Sequence, residues 1–89
     1  MERIYLDHNA TTPVDPRVID AMTTCLREEF GNPSSLHWFG QRARTVLEEA
    51  RSQVASLIGA APQEIVFTGS GTEADNLALR GAAGVARDP

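Results

Sequence analysis

The chain has 89 residues, of which 42% are hydrophobic and 22% are charged, and its formal net charge is −4. All eight basic side chains are arginine, so the sequence holds no lysine. It therefore lacks the lysine that a P-loop uses on its phosphates and the lysine that forms a Schiff base with a carbonyl group. The acidic balance argues against a surface that binds nucleic acid or an anionic membrane, because such a surface needs a basic patch. The single cysteine excludes an internal disulfide and a multi-thiolate zinc site.

A chain of this length can form one small domain or part of a larger one. No apolar run approaches the roughly 20 residues of a membrane-spanning helix, and the first residues show no signal-peptide pattern. We therefore expect no nucleic-acid partner, no membrane partner and a cytoplasmic location.

The first 60 residues predict a short strand at residues 4–6, an ordered polar loop at residues 7–13 and two amphipathic helices. Asp15 and Pro16 supply an N-cap and a first-turn proline for a helix that extends to about residue 29. An apolar stripe from Phe39 to Ile58 predicts the second helix, which Gly59 would end with a positive φ. Cys25 falls on the apolar face of the first helix, so we expect it to be buried rather than reactive.

The segment 61–89 begins with a turn and continues with a near-continuous apolar run at residues 64–68. This run predicts a strand buried on both faces, as in parallel sheets. A glycine turn then opens into a helix from Thr72 to about Ala86. The order of elements predicts an α/β fold. Because a buried strand needs neighbours and only residues 4–6 could pair with it, we interpret the chain as the front part of a larger α/β protein.

The glycine turn at residues 69–71 has the chemistry of an anion-binding site. The first N–H groups of a helix have no intrahelical acceptor and carry the positive end of the helix dipole. Glycines allow a ligand to approach the backbone, and Ser70 and Thr72 add hydroxyl donors, which favours phosphate. The alternative is a structural turn in which Ser70 or Thr72 only caps the helix. The match of residues 69–74 to the dinucleotide fingerprint G-x-G-x-x-A is weak, because its distal acidic residue is missing.

Two polar loops are further candidates. Residues 7–13 either line a site or form a surface loop with side-chain turns. Residues 30–40 either cover a site or only connect the helices. His8 and His37 lie far apart in sequence without a cluster of ligands, so no metal site is predicted.

Three segments, in this order and spacing, resemble one family. They are residues 5–14 (YLDHNATTPV), 30–37 (FGNPSSLH) and 64–77 (EIVFTGSGTEADNL). Together they look like the N-terminal part of the cysteine desulfurases of the nitrogen-fixation and iron–sulfur-cluster type, within the class V enzymes that depend on pyridoxal 5′-phosphate (PLP). The resemblance extends over almost the whole chain, through Gly81.

The resemblance implies the aspartate-aminotransferase-like fold of PLP-dependent transferases, which would be incomplete in this chain. It implies that the backbone N–H groups of Gly71 and Thr72 and the Thr72 hydroxyl bind the PLP phosphate, and that residues 8–11 lie near the substrate entrance. For the complete enzyme it implies a homodimer that converts L-cysteine to L-alanine and holds the sulfur as a cysteine persulfide. The expected partners are the substrate L-cysteine and Fe–S scaffold or other sulfur-acceptor proteins.

The family's catalytic groups have no counterpart in these 89 residues. The missing groups are the Schiff-base lysine, the histidine and aspartate on the PLP ring, and the persulfide-forming cysteine, which Cys25 does not match. We therefore predict an N-terminal fragment that has no catalytic residue and is inactive alone. Its predicted segments are 1–15 (strand and active-site loop), 16–60 (two helices) and 61–89 (first strand, phosphate-binding turn and first helix of the large PLP domain).

Two alternatives stay open. One is a fragment of a selenocysteine lyase or of another class V aminotransferase-like enzyme. The other is a non-catalytic, truncated product that binds a partner or is vestigial, which the absence of lysine would also fit.

Overall fold

The computed structural model describes residues 1–86 of the chain. Within that range lie three α-helices, α1 (Pro16–Glu28), α2 (Trp38–Ile58) and α3 (Gly71–Ala86), and a 3₁₀ turn, Pro62–Glu64. The helices form where the sequence predicts them. Residues 87–89 of the predicted segment 61–89 lie outside the described range. The chain divides into two compact units, Met1–Glu49 and Ala50–Pro89.

Helix α1 begins as its sequence predicts. Asp15 is the N-cap, and its Oδ1 accepts the backbone N–H of Arg17 at 2.8 Å. Pro16 occupies the first turn, where its missing N–H costs no intrahelical hydrogen bond. At the other end, the N–H of Glu29 donates to the Cys25 carbonyl at 2.9 Å.

The segment between α1 and α2 is tied to the first turns of α2. Arg44 donates two hydrogen bonds to the Pro33 carbonyl, from Nε at 2.9 Å and from Nη2 at 2.6 Å. Arg42 Nε forms an ion pair with Glu29 Oε1 at 2.9 Å. Gly40 is buried, and a Cβ there would overlap the carbonyl oxygen of Ser35. Only glycine therefore permits this close approach of two backbone segments.

In the second unit, α2 ends at Ile58 and the chain turns through Gly59, whose φ is +71°. The N–H of Ala60 donates to the Ala55 carbonyl at 2.9 Å, which is the hydrogen bond of a Schellman motif. Ala55 itself is only 1% exposed and forms the core of this unit. The predicted positive φ at Gly59 is confirmed.

Neither predicted strand forms, and residues 1–86 contain no strand. Glu64 ends the 3₁₀ turn, and residues 65–68 have no regular structure, although Ile65 is extended at φ −95° and ψ 126°. The predicted burial on both faces is also wrong, because Val66 is 64% exposed and Phe67 is 45% exposed. A strand requires a hydrogen-bonded neighbour, and no described segment pairs with residues 64–68. The α/β class therefore stays a prediction.

The predicted burial of Cys25 is wrong as well. Its side chain is exposed, and no residue of α1 is buried. Helix α1 has the apolar face that its sequence predicts, but this face is only partly covered: Val18 is 47% and Ile19 is 49% exposed. Amphipathic patterning alone therefore identified the face but not its burial.

Candidate functional site

The turn that precedes α3 is closed by hydrogen bonds between near neighbours. Thr68 Oγ1 donates to the Ser70 carbonyl at 3.0 Å, and the Gly69 N–H donates to Glu73 Oε2 at 2.8 Å. Ser70 Oγ accepts the N–H of Glu73 at 3.1 Å, and the Ser70 carbonyl accepts the N–H of Ala74 at 3.1 Å. Ser70 is thus the N-cap of α3, and its hydroxyl, a predicted donor, is used to cap the helix.

Gly71 and Thr72 are the first two residues of α3. Within residues 1–86, no hydrogen bond uses the N–H of either one, as is typical of the first turn of a helix. A Cβ placed on Gly71 would meet no atom of the described residues within 4 Å, so that part of the chain leaves the backbone open to a ligand there. Asn76 Nδ2 donates to the Thr72 carbonyl at 2.9 Å, and this hydrogen bond does not involve the Thr72 hydroxyl.

These donors fit a phosphate group. The consecutive residues Gly71 and Thr72 supply two backbone N–H groups and one hydroxyl. They lie at the N-terminus of α3, where the helix dipole is positive. The negative charge of the Glu73 carboxylate, in the first turn of α3, would oppose the binding of an anion. This carboxylate accepts the Gly69 N–H. The turn therefore offers hydrogen-bond donors to a phosphate group, and the chain has no lysine amine that could form a Schiff base.

Arg51 lies on α2 and reaches the segment that leads into this turn. Its Nη1 donates to the Ile65 carbonyl at 2.6 Å, and its guanidinium carbon lies 5.0 Å from the centre of the Phe67 ring. Sequence reasoning placed Arg51 on the polar face of α2 and missed this role. The sequence feature that could have indicated this contact is the aromatic residue Phe67, because an arginine on a neighbouring helix can form a cation–π contact with such a ring.

The polar loop after Tyr5 is ordered by its own side chains. The Tyr5 hydroxyl lies 3.0 Å from the carbonyl oxygens of both Asp7 and Thr11 and also bonds the Thr11 hydroxyl. His8 Nδ1 lies 2.9 Å from Thr12 Oγ1, and the His8 ring meets the Tyr5 ring edge-on at 4.8 Å. All of these residues are exposed. The loop belongs to the first unit and the glycine turn to the second.

The loop before α2 is ordered by hydrogen bonds between residues close in sequence. His37 Nδ1 accepts the N–H of Gly40 at 3.2 Å, and Gln41 Nε2 donates to the Leu36 carbonyl at 2.9 Å. The N–H of Ser34 donates to Asn32 Oδ1 at 2.9 Å. These contacts order residues 30–40 and fit both interpretations, a cover over a site and a connection between helices.

Two kinds of site can be assessed over residues 1–86, a metal-ligand cluster and a membrane-spanning helix. No group of three His, Cys, Asp or Glu side chains lies close enough together to hold a metal ion. None of the helices in that range combines the length and the apolar character needed to cross a bilayer.

Comparison with known proteins shows which family this sequence matches. Residues 4–88 match the model of the class-V aminotransferases. The putative cysteine desulfurase IscS 1 of Bacillus subtilis is 57% identical over 99% of this chain and 23% of its own length. A cysteine desulfurase of Frankia sp. is 60% identical over 88% of this chain and 19% of its own length. The mitosomal cysteine desulfurase of Encephalitozoon cuniculi is 56% identical over 93% of this chain and 19% of its own length.

The chain thus spans about a fifth of the length of these relatives. The predicted resemblance to cysteine desulfurases is confirmed over nearly all of its residues. With the family match covering residues 4–88, the chain belongs to the class V aminotransferase family.

Proposed function

We propose that this chain carries part of the cofactor-phosphate site of a PLP-dependent cysteine desulfurase. In this proposal the N–H groups of Gly71 and Thr72 and the Thr72 hydroxyl bind the PLP phosphate. The proposal rests on the start of α3, where neither N–H has a hydrogen-bond acceptor among residues 1–86 and Gly71 leaves the backbone open. The similarity to cysteine desulfurases supports the same assignment.

The side chains present indicate which steps this chain could contribute to and which the rest of the enzyme would have to supply. Bound PLP withdraws electrons from the amino acid attached to it and so allows bonds at its α and β carbons to break. The chain has no lysine to hold PLP covalently, and its one cysteine, Cys25, does not match the family's sulfur acceptor. Its contribution would be to orient the cofactor through its phosphate, which places the pyridine ring for groups supplied by the rest of the enzyme.

The activity proposed for the complete enzyme is transfer of sulfur from L-cysteine. L-cysteine and an enzyme thiol would give L-alanine and an enzyme persulfide, so the C–S bond breaks and an S–S bond forms. The persulfide would then supply Fe–S cluster assembly or thiolation through scaffold or other acceptor proteins. A homodimer, a cytoplasmic location and the division into segments 1–15, 16–60 and 61–89 belong to this proposal.

The test separates the phosphate from the rest of the cofactor. Pyridoxine 5′-phosphate carries the ring and phosphate of PLP but no aldehyde, and pyridoxine lacks the phosphate as well. We expect ¹H–¹⁵N spectra of the full chain to show saturable shifts at the Gly71 and Thr72 amides with pyridoxine 5′-phosphate. Pyridoxine at the same concentration should leave those amides unchanged.

A pair of threonine variants sharpens this experiment. Thr72→Val removes the hydroxyl at constant shape, and because a hydrogen bond to a charged group contributes about 1.5 kcal/mol, affinity should fall about tenfold. Thr45→Val is the matched control, since the Thr45 hydroxyl donates to the Gln41 carbonyl within α2 at 3.1 Å. Equal affinity of the two variants, or equal shifts with pyridoxine, would contradict the proposed site.

A further inference from the structure

The segment that leads into the glycine turn is held by one side chain from α2. Arg51 Nη1 donates to the Ile65 carbonyl across 14 residues of sequence, in a partly buried hydrogen bond. The same guanidinium lies over the Phe67 ring. Arg51 therefore contacts the segment at two points, one on the backbone and one on a side chain.

This double contact suits arginine in particular. A guanidinium is planar, so it can stack on an aromatic ring while its N–H groups donate in the plane. A lysine ammonium could donate to the Ile65 carbonyl but could not stack in this way. The charge also strengthens the hydrogen bond to the carbonyl.

Only a short segment, itself closed by hydrogen bonds, separates this contact from the start of α3. Phe67 is followed directly by Thr68, whose hydroxyl bonds the Ser70 carbonyl. Gly69 and Ser70 are in turn bonded to Glu73, in the first turn of α3. Movement of residues 65–67 would therefore move the N-terminus of α3.

We infer that Arg51 is the positioning residue of the phosphate-binding turn: it fixes residues 65–67 on α2 and so sets where the Gly71 and Thr72 N–H groups lie. The inference rests on the proposed function of that turn. This role does not require Arg51 to contact the phosphate. Its effect on a ligand passes through the backbone of residues 65–70.

The experiment compares Arg51→Met, Arg51→Lys and Arg44→Met in the full chain, with pyridoxine 5′-phosphate as the probe. Arg44 is the matched control, because it also lies on α2 and donates to a backbone carbonyl, that of Pro33, in the first unit. We expect Arg51→Met to weaken binding at least fivefold and Arg44→Met to change it less than twofold. Arg51→Lys should bind with intermediate affinity, because it retains the charge and a donor for Ile65.

Two further readouts separate positioning from loss of folding. In the ligand-free chain, Arg51→Met should shift the amide resonances of residues 69–72, and Arg44→Met should not. Phe67→Leu removes the ring but leaves the Ile65 carbonyl in place, so it should weaken binding less than Arg51→Met at unchanged helix content. It serves as the second test if Arg51→Met lowers helix content.

The outcomes distinguish the two ideas. If the original chain binds pyridoxine 5′-phosphate no better than pyridoxine, the phosphate site is rejected, and the role of Arg51 in it falls as well. If the original chain binds and the Arg51 and Phe67 variants bind equally tightly, only the role of Arg51 is rejected.

Discussion

The carboxylate of Glu73 accepts the backbone N–H of Gly69 at 2.8 Å, across the turn that begins α3. A negative charge thus helps to close the same turn whose Gly71 and Thr72 amides we assign to a phosphate. The carboxylate stabilises the start of the helix through the helix dipole. The same charge repels a bound anion, so capping and ligand binding oppose each other at this residue.

We therefore expect Glu73→Gln to bind pyridoxine 5′-phosphate more tightly than the original chain. The amide oxygen can still accept the Gly69 N–H, whereas the charge is lost. Repulsion between like charges a few ångströms apart in water corresponds to about a twofold to fivefold change in affinity at low salt. Titration by ¹H–¹⁵N spectroscopy at two salt concentrations checks this. A gain that persists unchanged at high salt would contradict the electrostatic explanation.

A second prediction concerns the pH dependence of α1. Hydrogen bonds from Arg17, from its side chain first and then from its N–H, lower the pKa of Asp15 below the ordinary value of 3.8. Because the pKa is lowered in the folded chain, the cap stabilises α1 fully above pH 3.8 and is lost as the pH falls through the folded value. Helix content in α1, followed by ¹³C shifts, should decrease in that acidic range.

Arg17→Gln provides the control for this titration. It removes the side-chain ion pair, in which Nη2 lies 2.8 Å from Asp15 Oδ2, and retains the backbone donor. The pKa of Asp15 in the variant should therefore lie nearer 3.8 than in the original chain. The same titration midpoint in both chains would contradict the assigned cause.

A third prediction uses two glycines in different surroundings. Gly40→Ala would drive a Cβ into the Ser35 carbonyl and to 2.8 Å from the Asn32 carbonyl, whereas Gly81→Ala in α3 meets nothing within 4 Å. We expect Gly40→Ala to destabilise the start of α2 by about 1–3 kcal/mol. Gly81→Ala should stabilise α3 by about 0.5–1 kcal/mol. Hydrogen exchange at the Gln41 amide, which donates to the His37 carbonyl, and at the α3 amides measures both.

A fourth prediction concerns the chain on its own. Its buried hydrophobic residues among those described are Ala43 and Ala55, while Leu6 and Leu57 are 86% and 85% exposed. Two small side chains bury little apolar area, so we expect a broad thermal transition or self-association. Circular dichroism and sedimentation at two concentrations check this, and Leu57→Gln should reduce association without loss of helix. A sharp two-state transition of a monomer would contradict the prediction.

The sequence correctly predicted the features that depend on residues close together in the chain. The Asp15 cap, the positive φ of Gly59 and the three helices follow from contacts within a few positions of the chain, and each is present. The assignment of Gly71 and Thr72 to phosphate has the local geometry it needs and stays a prediction. The role of Arg51 was missed because it depends on a contact with Ile65, which lies 14 positions away.

The predictions that failed concern contacts with other segments. The apolar run at residues 64–68 has the composition of a buried strand, but a strand forms only against a neighbour. The apolar face that includes Cys25 likewise needs a covering element to be buried. Periodicity shows which face of an element is suited to burial, whereas burial itself depends on what packs there.

The hydrogen bonds that close the glycine turn join residues two to four positions apart, whereas the Arg51 contact closes a loop of 14. Contacts of short range form before those of long range during folding. We therefore expect the turn and the first residues of α3 to form early, ahead of their attachment to α2. Starting a helix is its costly step. If Gly71 and Thr72 bind an anion as proposed, that anion would promote the folding of α3, and a cofactor phosphate would then act as a nucleus for the helix.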